Sequence, residues 1–437
     1  MEFKQYPSYK NSGVEWLGDV PEHWQVKPNK YVFKIQKRIA GTLGFNVLSI
    51  TQKGLKIKDI ESNAGQMAQD YSKYQIVNVG DFAMNHMDLL TGWVDIAKVT
   101  GVTSPDYRVF EVRNKKVNKE YFLHLFQLGY RNKILFAFGQ GAAQMGRWRL
   151  QSETFNSLKM PFPSIEEQEK IVSFLDTETA RIDTLIAKQE KLIELLEEQH
   201  KSIISHAVTK GLNPNAPMKD SGVEWLGQVP EHWMTPSSKH LLEIPITDGP
   251  HETPNFVDDG IPFISAEAIS KGKIDFDKKR GYITPELNAI YSKKYSPKVE
   301  DIYMVKSGAT TGKVAMVETT ETFNIWSPLA VFRCNKNKVL PKFLLAVFNS
   351  SHFYDALVLN WSYGTQQNIG MGVLSNIEIP CPPLKEQAEI IQHLDVLNTK
   401  FDKLIGTQSQ LIEKLKEYRS SIISHAVTGK IDVREFY

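Results

Sequence analysis

Ser12-Gly-Val-Glu-Trp-Leu-Gly-Asp-Val-Pro-Glu-His-Trp24 returns later in the chain as Ser221-Gly-Val-Glu-Trp-Leu-Gly-Gln-Val-Pro-Glu-His-Trp233, with Asp19 replaced by Gln228 as the single difference. Working outward, Ser202-Ile-Ile-Ser-His-Ala-Val-Thr209 recurs unchanged as Ser421–Thr428. Looser echoes lie between these anchors. Val47-Leu-Ser-Ile50 resembles Phe263-Ile-Ser-Ala266, and Asp81-Phe-Ala-Met84 resembles Asp301-Ile-Tyr-Met304. Thr91-Gly92 follows in the first half and Thr311-Gly312 in the second, and Ser104-Pro105 answers Ser327-Pro328. Repetition at this scale predicts one fold made twice. The ends of the two halves are near-identical and their middles diverge; the simplest account is one scaffold whose two surfaces meet different targets, and unequal drift would produce the same pattern.

Each half closes on a long helix. Ser164-Ile-Glu-Glu167 has the form of a capping box, in which serine and glutamate satisfy each other's free backbone donors. Pro383 stands at the matching place in the second half, so that cap is missing there. No Gly or Pro interrupts Ile165 to Val208, and such a helix spans roughly 65 Å at 1.5 Å per residue. Ile182, Leu185, Gln189, Leu192, Leu196 and Ile203 recur at heptad steps, as do Phe401, Leu404, Gln408, Leu411, Leu415 and Ile422. These predict a helix-pairing seam. Two seams in one chain pair most simply with each other, antiparallel, with the glutamines fixing register; the other packing sets each helix on its own domain.

The predicted architecture is α+β: two similar mixed α/β globular domains separated by two long antiparallel coiled-coil helices, related by a pseudo-twofold internal repeat. Its boundaries are a first domain at 1–160, a first spacer helix at 161–210, a Gly-, Pro- and Asn-rich linker at 211–217, a second domain at 218–380, a second spacer helix at 381–430, and a tail at 431–437.

Composition excludes several classes. Cys334 and Cys381 lie far apart without a CxxC or paired-histidine spacing, so neither a zinc site nor a disulfide framework is expected. No opening stretch has the plan of a secretory signal, and no apolar run is long enough to span a bilayer. A cytoplasmic protein is expected. Net charge is only +2 over 437 residues, but residues 1–160 carry 22 Lys and Arg against 14 Asp and Glu. The second half hides basic clusters at Lys271–Arg280 and Lys293–Lys298. Such a distribution permits nucleic-acid contact.

Catalytic signatures are broken. Gly308-Ala-Thr-Thr-Gly-Lys313-Val314 is one residue short of a phosphate loop and lacks the Ser or Thr that would hold magnesium, so it reads as a glycine turn between strands. Gly139-Gln-Gly141 lacks the third glycine of a dinucleotide fingerprint. No metalloprotease helix motif and no nucleophile elbow occurs. Trp16, Trp24, Trp225 and Trp233 are identical in both halves, which suits packing better than the reading of different sequences. His206 and His425, at matched helix ends, suit the helix dipole.

The paired Ser-Gly-Val-Glu-Trp-Leu-Gly-x-Val-Pro-Glu-His-Trp segments, the Pro-x-Pro-x-x-x-Glu-Gln transitions at 161–168 and 380–387, the Gly308–Lys313 turn and Asp248-Gly-Pro-His-Glu-Thr-Pro254 together resemble the specificity subunits of type I restriction–modification systems. The resemblance covers nearly the whole chain. It implies two target-recognition domains that bind double-stranded DNA, one for each half of a split, asymmetric site, with the helices as spacer. It further implies two methyltransferase subunits holding S-adenosylmethionine, and translocase–nuclease subunits using ATP and magnesium. This chain would then bind no cofactor or metal and catalyse nothing. Base reading favours Arg on guanine and Asn or Gln on adenine. The candidates are Arg108, Gln144, Arg147 and Arg149 in the first domain, and His251, Thr253, Lys306, Lys313, Tyr363, Gln366 and Gln367 in the second. Two other readings fit part of the sequence: a coiled-coil protein–protein adaptor without nucleic acid, and a nucleotide-using or methylating enzyme.

Overall fold

The computed structural model describes residues 3–60, 68, 70–113, 116–141, 148–270, 272–363 and 367–436. The chain divides into two compact units, one joining Met1–Lys188 to Leu411–Tyr437 and the other running Gln189–Gln410. Each unit therefore contains part of both long helices, Ile165–Lys210 and Leu384–Val427. The helices are not segments apart from the domains, as the sequence boundaries had placed them.

In the first unit a four-stranded antiparallel sheet is built from β1 (Phe33–Gln36), β2 (Phe82–Met84), β3 (Val94–Ile96) and β4 (Arg108–Val112), in the spatial order β1-β4-β2-β3. Register sets Phe82 opposite Phe110, and their rings stack at 4.9 Å. Phe122 and Phe126, from the helix Lys119–Arg131, close over this face and meet Phe33 at 5.3 and 5.4 Å. The second unit repeats the plan with β5 (Thr247–Asp248), β6 (Ile302–Val305), β7 (Val314–Met316) and β8 (Leu329–Phe332), ordered β5-β8-β6-β7. Ile302, Met304, Ala330 and Phe332 face the helix Pro341–Phe348, while Tyr303, Val305 and Val331 enter a second cluster with Ile264 and Ile325. Two identical strand orders on divergent sequences are the structural form of the internal repeat.

The repeated segments have matched structural duties. In each copy the strand before Ser-Gly-Val pairs with the one at the Val-Pro, as Tyr9–Asn11 with Asp19–Pro21 and Met218–Asp220 with Gln228–Pro230. Trp24 and Trp233 are fully buried, and Trp16 and Trp225 pack half-buried against the cores. The Glu-Gln pairs at the helix starts act as clamps. Gln168 Oε1 accepts the Asn118 N–H at 2.8 Å, and Gln387 Oε1 accepts the Leu340 N–H at 2.8 Å. Both glutamines are fully buried, so each anchors the short helix that covers its sheet. Only half of the predicted capping box forms. Ser164 Oγ accepts the Glu167 N–H at 3.3 Å, whereas the Glu167 carboxylate turns to Tyr6 and His23.

Within the first unit, Ile171, Leu175 and Ile182 share a core with Ile422, Ile423 and Val427, and Asp183 pairs with Arg419 at 2.8 Å. Farther back along the first helix, Lys170 reaches the Arg434 carbonyl at 2.8 Å, so the two segments run antiparallel. In the second unit His200 stacks on Phe401 at 4.7 Å and meets Asn398 at 2.6 Å, and Ala207 and Val208 join Ile390 and Leu394.

The seam differs from the predicted one at three positions. Ile182, Phe401 and Ile422 are buried, and Leu185, Gln189, Leu196, Ile203, Gln408 and Leu415 are half-buried. Leu192, Leu404 and Leu411 are exposed by 39, 47 and 38 %. Their neighbours Ile193 and Ile405 are half-buried, and Ile412 is buried. Two heptad frames share 182, 189, 196 and 203 and differ only in taking the third or the fourth residue between them. Those residues lie on either side of the shared line on a helix of 3.6 residues per turn. Packing turns the fourth-residue side inward.

Candidate nucleic-acid interface

In the second unit three segments far apart in sequence meet at one end of the sheet. The turn from β6 to β7 needs glycine at 308 and 312, where φ is +106° and +89°. It closes through the Gly312 N–H to the Val305 carbonyl at 2.8 Å. A phosphate loop would lead into a helix, whereas this turn leads into strand β7. Gly308 N–H donates to the Gln367 carbonyl at 3.1 Å and Ile369 N–H to the Lys306 carbonyl at 2.8 Å, tying the turn to the hairpin Ser362–Tyr363/Gln367–Asn368. Asp248, at the end of β5, supplies the third segment. Its carboxylate is fully buried, with Lys294 Nζ at 2.6 Å, Lys306 Nζ at 3.2 Å and His251 Nε2 at 3.2 Å. Burial opposes the charge on Asp248, but the two lysines outweigh it and hold its carboxyl below the usual range.

The loop that follows Asp248 is fastened at several points. A Cβ on Gly249 would lie 2.0 Å from the Ile325 carbonyl oxygen, so only glycine fits. Ser327 N–H donates to the Pro250 carbonyl at 3.2 Å, and Trp326 Nε1 donates to the Glu252 carbonyl at 3.1 Å. Arg280 lies over the Trp326 ring at 5.0 Å and Lys279 over Tyr282 at 4.9 Å. Cations and aromatic faces thus alternate on this border, a combination suited to phosphates and bases.

The first unit makes the same junction with other residues. His86 follows Met84 as Lys306 follows Met304, and Leu150 N–H donates to the His86 carbonyl at 3.0 Å. Gln140 and Arg149 bridge antiparallel, as the hairpin strands at 362–368 do. The buried charges differ. Arg108 pairs in register with Met84 where Ala330 pairs with Met304. Its guanidinium donates to the Leu150 carbonyl at 2.9 Å and lies over Phe155 at 4.8 Å. Burial lowers Arg108 to about 10, still charged at neutral pH, and burial followed by Arg108 pushes His86 down to about 3.

The sequence pattern of the type I restriction modification DNA specificity domain matches residues 21–195 and 230–417. The chain belongs to that family. This specificity chain is 23 % identical to the putative type I restriction enzyme MjaX specificity subunit of Methanocaldococcus jannaschii, over 99 % of each chain. It is 24 % identical to the type I restriction enzyme EcoBI specificity subunit of Escherichia coli, over 74 % of this chain and 67 % of that one. A solved structure described as showing complex assembly and conformational transition of the type I R-M system has a similar fold, with a TM-score of 0.64 at 17 % identity over 93 % of this chain and 98 % of that one. The HsdS subunit from Thermoanaerobacter tengcongensis gives 0.50 at 16 % identity over 94 and 98 %.

Of the residues this specificity chain was expected to read with, His251 and Lys306 meet at Asp248. Thr253 is exposed on the same loop, and Lys313 and Gln367 are exposed on the turn and its partner strand. Tyr363 pairs with Gln367, and Arg149 is exposed beside the first-unit junction. Arg108 is corrected: at 3 % exposure it is a buried strut, because its strand position points beneath the junction. Gln144, Arg147 and Gln366 lie outside the described residues. Sequence reasoning passed over Asp248 and Lys294. Lys294 stood inside a basic cluster weighed only for its net charge, and Asp248 opened a segment taken only as a carrier of the family resemblance. Cys334 and Cys381 are buried, and burial pushes the Cys334 thiol up to about 12, which leaves it unreactive. Among the described residues no group of three His, Cys, Asp or Glu could hold a metal, and no helix is long and apolar enough to cross a membrane.

Proposed function

We propose that this chain is the DNA-reading subunit of a type I restriction–modification assembly, that each unit reads one half of a split asymmetric site, and that the chain performs no chemistry itself. The observation that carries this reading is the duplicated junction. One strand order and one pair of backbone hydrogen bonds, Leu150 to His86 and Ile369 to Lys306, present different side chains in the two units. A common frame with unlike tips is what two unlike half-sites require, since phosphate contacts position a protein and base contacts specify it. Adenine methylation would fall to methyltransferase subunits that hold S-adenosylmethionine, and cleavage to ATP- and magnesium-dependent subunits. The target base must leave the stack to be methylated, so the reader's part is to hold the duplex in register. The relatives' names, specificity subunits of type I restriction enzymes, support the recognition role.

The test is methylation mapping in cells that carry this chain with its methyltransferase, against cells without it. A split adenine-methylated motif is expected, and exchanging residues 1–160 should change one half of it alone. An assembled complex that methylates without any motif would overturn the reading and favour a protein–protein adaptor.

A further inference from the structure

A fully buried carboxylate is an unexpected component of a surface that meets phosphates. Asp248 lowers the positive charge available there, yet it lies where all three segments of the second unit converge. Its neighbours explain the placement. Lys294 arrives from the end of the helix Pro285–Tyr291, and Lys306 from the end of β6. Without a common partner these are two flexible four-carbon chains, and each would lose rotamer freedom on being fixed at a ligand. Anchored on Asp248, they lose that freedom during folding instead. The anchor is itself tied into the fold: Asp248 lies in register with Ala330, Gly249 packs too closely on the Ile325 carbonyl to admit a Cβ, and Lys294 also reaches the Gly249 carbonyl at 3.4 Å. Two ammonium groups on one carboxylate leave a net positive charge in a defined place, with His251 at its open edge.

From this geometry we infer that Asp248 is a positioning residue for DNA recognition by the second unit, acting through the half-exposed Lys294, which contacts the duplex, while Lys306, largely buried beside it, shares the carboxylate. The inference rests on the DNA-reading proposal and adds to it a residue whose charge is opposite to what simple phosphate attraction would select. Among the described residues the first unit has no equivalent carboxylate at its junction; it buries Arg108 there, held by the Leu150 carbonyl and Ser152 Oγ. The device is therefore specific to one half-site.

The test compares the assembled methyltransferase complex carrying Asp248→Asn with wild type. Duplexes would hold the intact target, or the target with either half scrambled, at low and at physiological salt. Charge alone predicts that loss of an acid tightens binding to every duplex. Positioning predicts that affinity for the intact target falls roughly tenfold or more, that affinity for the duplex scrambled in the second half stays level or rises, and that discrimination at the first half is unchanged. Uniformly tighter binding with discrimination intact would overturn the inference. Lys294→Gln, at a half-exposed side chain, guards against a folding defect. It should reproduce the loss of second-half discrimination with an unchanged melting curve, and full discrimination in that variant would also overturn the inference. A wild-type complex without preference for any duplex would instead refute the DNA-reading proposal itself.

Discussion

His23 Nε2 lies 2.9 Å from the Glu167 carboxylate, and the same contact recurs in the second unit between His232 and Glu386 at 2.8 Å. Each pair joins the repeated Pro-Glu-His-Trp segment to the first turn of a long helix. The copies are not energetically equal. Glu167 is buried and also accepts the Tyr6 hydroxyl at 2.7 Å, whereas Glu386 is partly exposed. Glu167→Ala should cost about 1–3 kcal/mol by leaving the buried Tyr6 hydroxyl unpaired, and Glu386→Ala about 0–1 kcal/mol as a solvent-screened pair. Urea denaturation of each variant measures the difference; equal costs would show that burial of Glu167 adds nothing.

The seam predicts a contrast between neighbours. Ile412 is buried and Leu411 is exposed. Ile412→Ala should lower stability by about 2–4 kcal/mol, and Leu411→Ala by less than about 1 kcal/mol. If the order were reversed in thermal melts, the other heptad frame would be the packed one.

Gln387 offers a second buried site. Its side chain accepts from the Leu340 N–H and donates to the Pro382 carbonyl at 2.8 Å. Gln387→Leu keeps the approximate volume and strands these two backbone groups and the Lys338 carbonyl, so a loss of at least about 3 kcal/mol is expected, at roughly 1–3 kcal/mol for each group stranded. Gln168→Leu should behave alike in the first unit. An unchanged denaturation midpoint in both would mean that the repeated glutamines do not hold the covering helices.

Acid should weaken the first unit. Burial pushes His86 down to about 3 and His124 down to about 4, with neighbouring arginines adding to each. An unfolded histidine titrates near 6.5, so between that pH and the folded values the unfolded chain binds more protons. Stability is then full above about 6.5 and falls as the pH drops toward 4, with a slope of at most about 1.4 kcal/mol per pH unit for each histidine. Glu120, whose carboxyl burial raises, works in the opposite sense. His124→Leu should flatten the decline between pH 6.5 and 4.5 in melting experiments. A variant that loses stability with acid as steeply as wild type would exclude His124 as a cause.

Gly249→Ala places a Cβ against the Ile325 carbonyl and must shift the loop that carries Asp248 and His251. Recognition of one half-site should be lost while the other is read normally, seen as a methylated motif degenerate on one side. A motif unaltered in both halves would separate this loop from recognition.

The duplication, the two long helices and the strand–turn–strand around Gly308 were legible in the residues alone, because each depends on local pattern. Exact repeats need no folding to be seen, an uninterrupted run of 3.6-period residues is helical in most contexts, and glycine at positive φ announces a turn. What periodicity left open was which of two heptad frames faces inward, since Leu411 and Ile412 are equally apolar and sit on either side of the same line. Nor could spacing show that Glu167 turns from its capping serine to His23, that Arg108 is buried against the Leu150 carbonyl, or that Lys294 and Lys306 share Asp248. Those outcomes depend on strand register and on contacts between distant segments. A charged side chain's role follows from what is buried beside it, and only the tertiary fold decides that.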